Sequence, residues 1–117
     1  MKKLAIASFG LFLAAGVAGQ VLAADKSVSG TLEDSYCYGA MGAKGSSHQK
    51  CAVECVRKGI PVSLVENGTG NIYVLLPAKN DEPLPDSVYD KMEAQVTVTG
   101  KEYSKGGVNF LTVESVK

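Results

Sequence analysis

Between Ala94 and Tyr103 the chain alternates, with Ala94, Val96 and Val98 set against Gln95, Thr97 and Thr99. Successive side chains of a strand point to opposite faces, so this pattern predicts a strand with one face in a core and the other toward water. A similar period, or a run of β-branched and aliphatic residues, recurs four more times. Lys26 to Glu33 is the first, with Gly30 as a candidate bulge. Val62 to Glu66 and Asn71 to Leu76 follow, joined by Asn67-Gly68-Thr69-Gly70, which suits a hairpin turn and also accounts for the glycosylation-type sequon there. In the second of these, Ile72, Val74 and Leu76 share one face, and Tyr73 and Leu75 the other. Val108 to Val116 ends the chain after a turn at Lys105-Gly106-Gly107.

Two helical segments interrupt the strands. His48 to Lys58 has good helix formers, Arg57 and Lys58 in its last turn, Gly59 at the stop and Pro61 beyond, with Ser46 or Ser47 as the expected N-cap. Asp86 to Met92 predicts two turns with Val88, Tyr89 and Met92 inward. Tyr36 to Gly45, loosened by Gly39, Gly42 and Gly45, reads as loop. The resulting order is strand, helical insert (about 36–60), strand, strand, short helix, strand, strand. That is the order of a mainly β, five-stranded OB-like barrel, which closes its sheet and limits free edges. An open five-stranded sheet or a sandwich is the competing topology.

The start of the chain carries a different signal. Met1-Lys2-Lys3 is basic, Leu4 to about Gly19 is apolar, and Val21-Leu22-Ala23 has small residues where a signal peptidase reads them. A signal peptide over residues 1–23, cleaved before Ala24, is therefore expected, with a periplasmic or secreted product. The apolar run falls short of the roughly 20 residues of a spanning helix, so no stable membrane insertion is expected after cleavage. The remaining segment, 24–117, is long enough for a single domain. Loss of Lys2 and Lys3 leaves 10 basic against 12 acidic residues, a net of about −2. Without a basic block, nucleic acid is not an expected partner, and Tyr73 and Tyr103 read as barrel aromatics and not as base-stacking platforms.

All three cysteines, Cys37, Cys51 and Cys55, fall after residue 23. In an exported protein thiols are usually oxidised or metal-bound, and an odd number leaves one without a partner. On a helix, His48, Cys51 and Cys55 stand at i, i+3 and i+7, within an arc of about 60°. Cys37, on the preceding Gly-rich loop, is placed to fold over that face and complete four ligands. The rise from His48 to Cys55 is about 10 Å, so one ion reaches both only if His48 leans back toward Cys51. Cys51 and Cys55 are accordingly the core pair.

A thiolate-rich set with one imidazole suits Zn²⁺ in a closed tetrahedral shell or Cu⁺ in a two- or three-coordinate one. Met41, on the same loop, is a candidate extra ligand that would favour Cu⁺. The expected partners are then a metal ion and, for metal handling, another periplasmic protein. Two alternatives use the same residues. Cys51 and Cys55 are about 6 Å apart at Cβ on a straight helix, too far to bridge each other. Cys37 can bridge either one, stapling a binding module by about 3 kcal/mol and leaving the barrel face to recognise a protein or small ligand. The third reading is thiol redox or electron transfer, which requires a low-pKa thiolate. The Cys-x-x-Cys-His run of covalent haem attachment is absent. Glu33 and Asp34, adjacent on a strand end, face opposite ways and take no catalytic role, Asp34 reading as a loop-start residue. No catalytic residue is assigned.

Gly30 to Cys37 (Gly-Thr-Leu-Glu-Asp-Ser-Tyr-Cys), His48-Gln-Lys-Cys51-Ala52-Val-Glu-Cys55, Gly59-Ile-Pro61 and Val96-Thr-Val-Thr-Gly100 together resemble a group of small exported bacterial proteins. That group looks OB-like and carries a His-x-x-Cys-Ala-x-x-Cys insert after its first strand. The resemblance spans nearly all of 24–117 and implies the fold, export and the cluster of Cys37, His48, Cys51 and Cys55. It implies no reaction.

Overall fold

The computed structural model of the protein describes residues 24–117, and the expected signal peptide lies outside the described residues. Six strands form one sheet: β1 (Ala24–Asp34), β2 (Val62–Glu66), β3 (Ile72–Pro77), β4 (Gln95–Lys105), β5 (Val108–Val113) and the short β6 (Ser115–Val116). Neighbours run in the order β1-β2-β3-β5-β4-β6, and a further pairing of β1 with β4 closes the sheet. All pairs are antiparallel except β3 with β5, which are parallel. The first five strands therefore make the expected OB-like barrel, and β6 is an addition. Beyond Val113 the last predicted strand breaks at Glu114, where its register against β4 slips by one residue, and β6 continues along the same edge of β4 at Val98 and Thr99.

One long strand serves two neighbours because glycine lets it bend. β1 pairs with β4 from Ala24 to Thr31 and with β2 from Gly30 to Asp34. At the changeover, a Cβ on Gly30 would lie 2.0 Å from the carbonyl oxygen of Val65. Only glycine allows backbones to approach that closely.

The alternation seen in the sequence decides what faces inward. Val28, Leu32, Leu64, Tyr73, Leu75, Val96, Val98, Leu111 and Val113 are buried in one core. Tyr73 and Leu75 thus form the inner face of β3, whereas Ile72 and Tyr103 are exposed. Between β3 and β4 lies helix α3 (Asp86–Tyr89), shorter than expected, followed by turns. Val88 and Met92 are fully buried in the core and Tyr89 packs against it, as predicted.

The insert between β1 and β2 holds two helices where one was expected. Helix α1 (Ser35–Met41) occupies most of the segment read as loop. Its glycines hid it, but both its ends are capped. Asp34 accepts a hydrogen bond from the Cys37 N–H at the start. At the end Gly42 adopts φ 70°, its N–H bonds the Tyr38 carbonyl and the Ala43 N–H bonds the Cys37 carbonyl, a Schellman stop. Helix α2 (Gln49–Arg57) follows a single 3₁₀ turn, Ser46–His48. Neither Ser46 nor Ser47 caps it: His48 occupies the N-cap position without a side-chain cap bond, because the 3₁₀ turn runs directly into the helix. Ala52 and Val56, four apart, bury one face of α2 in the core. Among the described residues no helix is long and apolar enough to cross a membrane.

Candidate metal centre

Three thiols meet where the insert folds back on itself. With Ala52 and Val56 anchored inward, Cys51 and Cys55 stand on the adjoining face of α2, and α1 brings Cys37 to them. The three Sγ atoms lie within 4.8 Å of one another, and none is in a disulfide. They differ in depth: Cys37 is 6 % exposed, Cys55 half-buried and Cys51 exposed.

His48 belongs to a second trio, with Asp34 and Cys37, whose donor atoms also lie within 4.8 Å of one another. Cys37 is common to both. The four residues picked out by spacing are therefore close together and compatible with a metal site. Met41, the candidate extra ligand, ends α1 with most of its side chain exposed.

Asp34 organises this corner. It is completely buried at the end of β1. One carboxylate oxygen accepts from the Cys37 N–H at 2.7 Å, and the other lies 2.9 Å from His48 Nε2. Burial works to raise its pKa, but the Cys37 N–H and His48 outweigh it and hold the carboxyl below the ordinary 3.8. A depressed carboxyl contributes stability above the unfolded value and loses it as pH falls through the folded one. Asp34→Ala should therefore lower stability at neutral pH by about 2 kcal/mol, the sum of a cap and a buried polar bond. In the wild type that contribution should fade below about pH 3.8. Denaturant unfolding of both proteins at neutral and acid pH measures it.

Cys37 and Cys51 sit in surroundings that favour the neutral thiol. Burial, then the Asp34 carboxylate, pushes Cys37 up to about 12. A hydrogen bond with Cys55, then burial, raises Cys51.

A second buried feature lies next to Asp34. Glu33 is 3 % exposed on the other face of β1, and its Oε1 has no hydrogen-bond partner. Beside it is Glu93, whose Oε2 is likewise unpartnered and whose Oε1 accepts from the Gly45 N–H at 2.7 Å. Glu93 is held at φ 68°, the left-handed region, by its own N–H bond to the Leu32 carbonyl. Burial, then the Glu93 carboxylate, raises Glu33 to about 8, with Asp34 adding to this and Lys44 opposing. A raised carboxyl favours folding in its neutral form, so this contribution is intact below the unfolded value and is lost as pH climbs from about 4.5 to about 8. Glu33→Gln, which supplies an N–H toward Glu93, should raise the urea midpoint at pH 9 and flatten its decline between pH 6 and 9. An unchanged slope would contradict the raised Glu33 carboxyl.

Asp34, Glu33 and Glu93 were not assigned roles from sequence. Asp34 left a readable trace, since Asp three residues before Cys37 is an N-cap signature once α1 is admitted. Glu33 and Glu93 are brought together from distant parts of the chain by barrel closure, which no local pattern announces. Comparison with known protein families, curated proteins and solved structures finds no match.

Proposed function

We propose that this is an exported metal-binding protein, periplasmic or secreted, that holds one thiophilic ion, Cu⁺ or Zn²⁺, on Cys37, Cys51, Cys55 and His48. The observation that carries this reading is the convergence of three unbridged Sγ atoms within 4.8 Å, a spacing that small side-chain shifts close onto a single ion. The His48 to Asp34 contact supports it, because histidines at metal sites commonly give their second ring nitrogen to a carboxylate. The likeness to small exported proteins with the same His-x-x-Cys-Ala-x-x-Cys insert agrees with the assignment. Titration of the thiol-reduced protein with Zn²⁺, and with Cu⁺ against a chromophoric chelator, should show one ion bound per chain. Uptake of neither ion would refute it.

A second reading, a disulfide-stapled binding module, draws on a different feature. An outer groove of about 310 Å³, lined by Leu76, Pro77, Ala78, Asn80, Tyr103 and Thr112, shares no residue with the thiol cluster. In that reading Cys37 bridges Cys51 or Cys55. Intact mass before and after reduction separates the two, since a bridge adds about 2 Da on opening. Three reactive thiols in unreduced protein would exclude the staple.

A further inference from the structure

Contacts among protein groups hold every segment of the insert. At its entry, the Ser35 N–H and hydroxyl both bond the Pro61 carbonyl, at 3.0 and 2.6 Å, tying the start of the insert to its end. Asp34 caps α1. The middle loop is pinned by Gly45 N–H to Glu93 and by His48 to Asp34. Helix α2 is fixed by Ala52 and Val56 in the core and by Gln49 Nε2 to the Met92 carbonyl at 3.2 Å. None of these contacts passes through a thiol. A structural ion supplies the organisation that the chain lacks, as in domains that are unfolded without metal. Here the chain already has it.

The three thiols are also graded in depth, buried Cys37, half-buried Cys55 and exposed Cys51. A closed structural shell would hide its ligands. This one has a floor and an open edge. His48, meanwhile, falls in the other trio, with Asp34 and Cys37, so the set nearest the open edge is sulfur only. Three soft thiolates without an imidazole match the low coordination number of Cu⁺ better than the four-ligand shell of Zn²⁺.

We infer that the site holds Cu⁺ as cargo in a three-sulfur shell, with Cys51 the ligand that is exchanged when the ion passes to an acceptor thiolate or thioether, and with His48 positioning the insert through Asp34. The inference rests on the metal-binding reading above and narrows its ligand set, moving His48 from ligand to positioning residue. In the exchange, an incoming sulfur forms a bond to Cu⁺ while the bond to Cys51 Sγ breaks. Cys51 leaves as a thiolate and takes a proton from solvent, and the copper stays Cu⁺ throughout. The other two sulfurs hold the ion until a second acceptor sulfur replaces them.

The test uses the reduced full protein, loaded with one equivalent of Cu⁺ and mixed with increasing bicinchoninate as acceptor. Release should speed up in proportion to acceptor concentration, as ligand exchange at an open edge requires. The metal-free reduced protein should unfold cooperatively with the same strand content as the loaded one by circular dichroism. X-ray absorption of the loaded protein should show sulfur scatterers without the multiple-scattering signature of imidazole. Release at a rate independent of the acceptor, an unfolded metal-free protein, or an imidazole signature would each overturn the cargo inference while leaving metal binding intact. No Cu⁺ uptake at all would overturn both.

Discussion

Cys37→Ser is expected to lower Cu⁺ affinity by more than about 100-fold, since loss of an outer-shell partner alone takes about 10- to 100-fold off metal affinity. Cys37 is the buried floor of the cluster, and its Sγ belongs to both donor trios. A serine oxygen is a hard donor and a poor ligand for a soft ion. The backbone consequence is small, because the bond that starts α1 runs from the residue 37 N–H to Asp34 and does not need the sulfur. Chelator competition should therefore show the loss while circular dichroism is unchanged. An affinity equal to that of the wild type would remove Cys37 from the site.

Gly100→Ala should destabilise the barrel by about 3 kcal/mol or more, at the upper end of what overpacking costs. Gly100 lies in β4 opposite Lys26 of β1. A few residues on, from Glu102 to Lys105, β4 pairs with β5. At this second corner a Cβ would stand 1.7 Å from the Thr112 carbonyl oxygen and 2.8 Å from its Oγ1. Neither can give way easily, since Thr112 Oγ1 accepts from the Lys101 N–H at 2.8 Å and β5 is locked between β3 and β4. The strand must straighten or the seam must open. Urea denaturation followed by circular dichroism measures the loss, and an unchanged midpoint would mean that the barrel tolerates a wider corner than its backbone shows.

Much of the barrel was legible because strand alternation is a local signal that tertiary packing had no reason to override. Val62 to Glu66 matched the observed strand, and Val88 and Met92 were assigned inward from their spacing alone. What was missed depends on contacts rather than on period. Helix α1 is seven residues long and contains glycine, so its propensity is weak, and its existence rests on the Asp34 cap and the Gly42 stop. The split between β5 and β6 follows from a one-residue slip of register against β4 at Glu114, which periodicity within the segment does not encode. In the site, helical spacing placed Cys51 and Cys55 together and the loop position of Cys37 suggested closure, but the order of depth among the three emerged only in three dimensions. His48 illustrates the limit best. Its helical spacing pointed toward Cys51, whereas the fold turns it to Asp34, a residue that sequence treated as the start of a loop.

The glycine corners, the Asp34 cap and the core-facing side of α2 all serve one arrangement, in which a closed barrel presents a self-supported insert with three converging thiols. Native mass spectrometry of the thiol-reduced protein mixed with one equivalent of Cu⁺ or Zn²⁺ tests that arrangement most directly. The expected spectrum shows one ion retained per chain, lost on Cys37→Ser. A spectrum of metal-free chain with both ions, under conditions where circular dichroism shows the barrel intact, would contradict it.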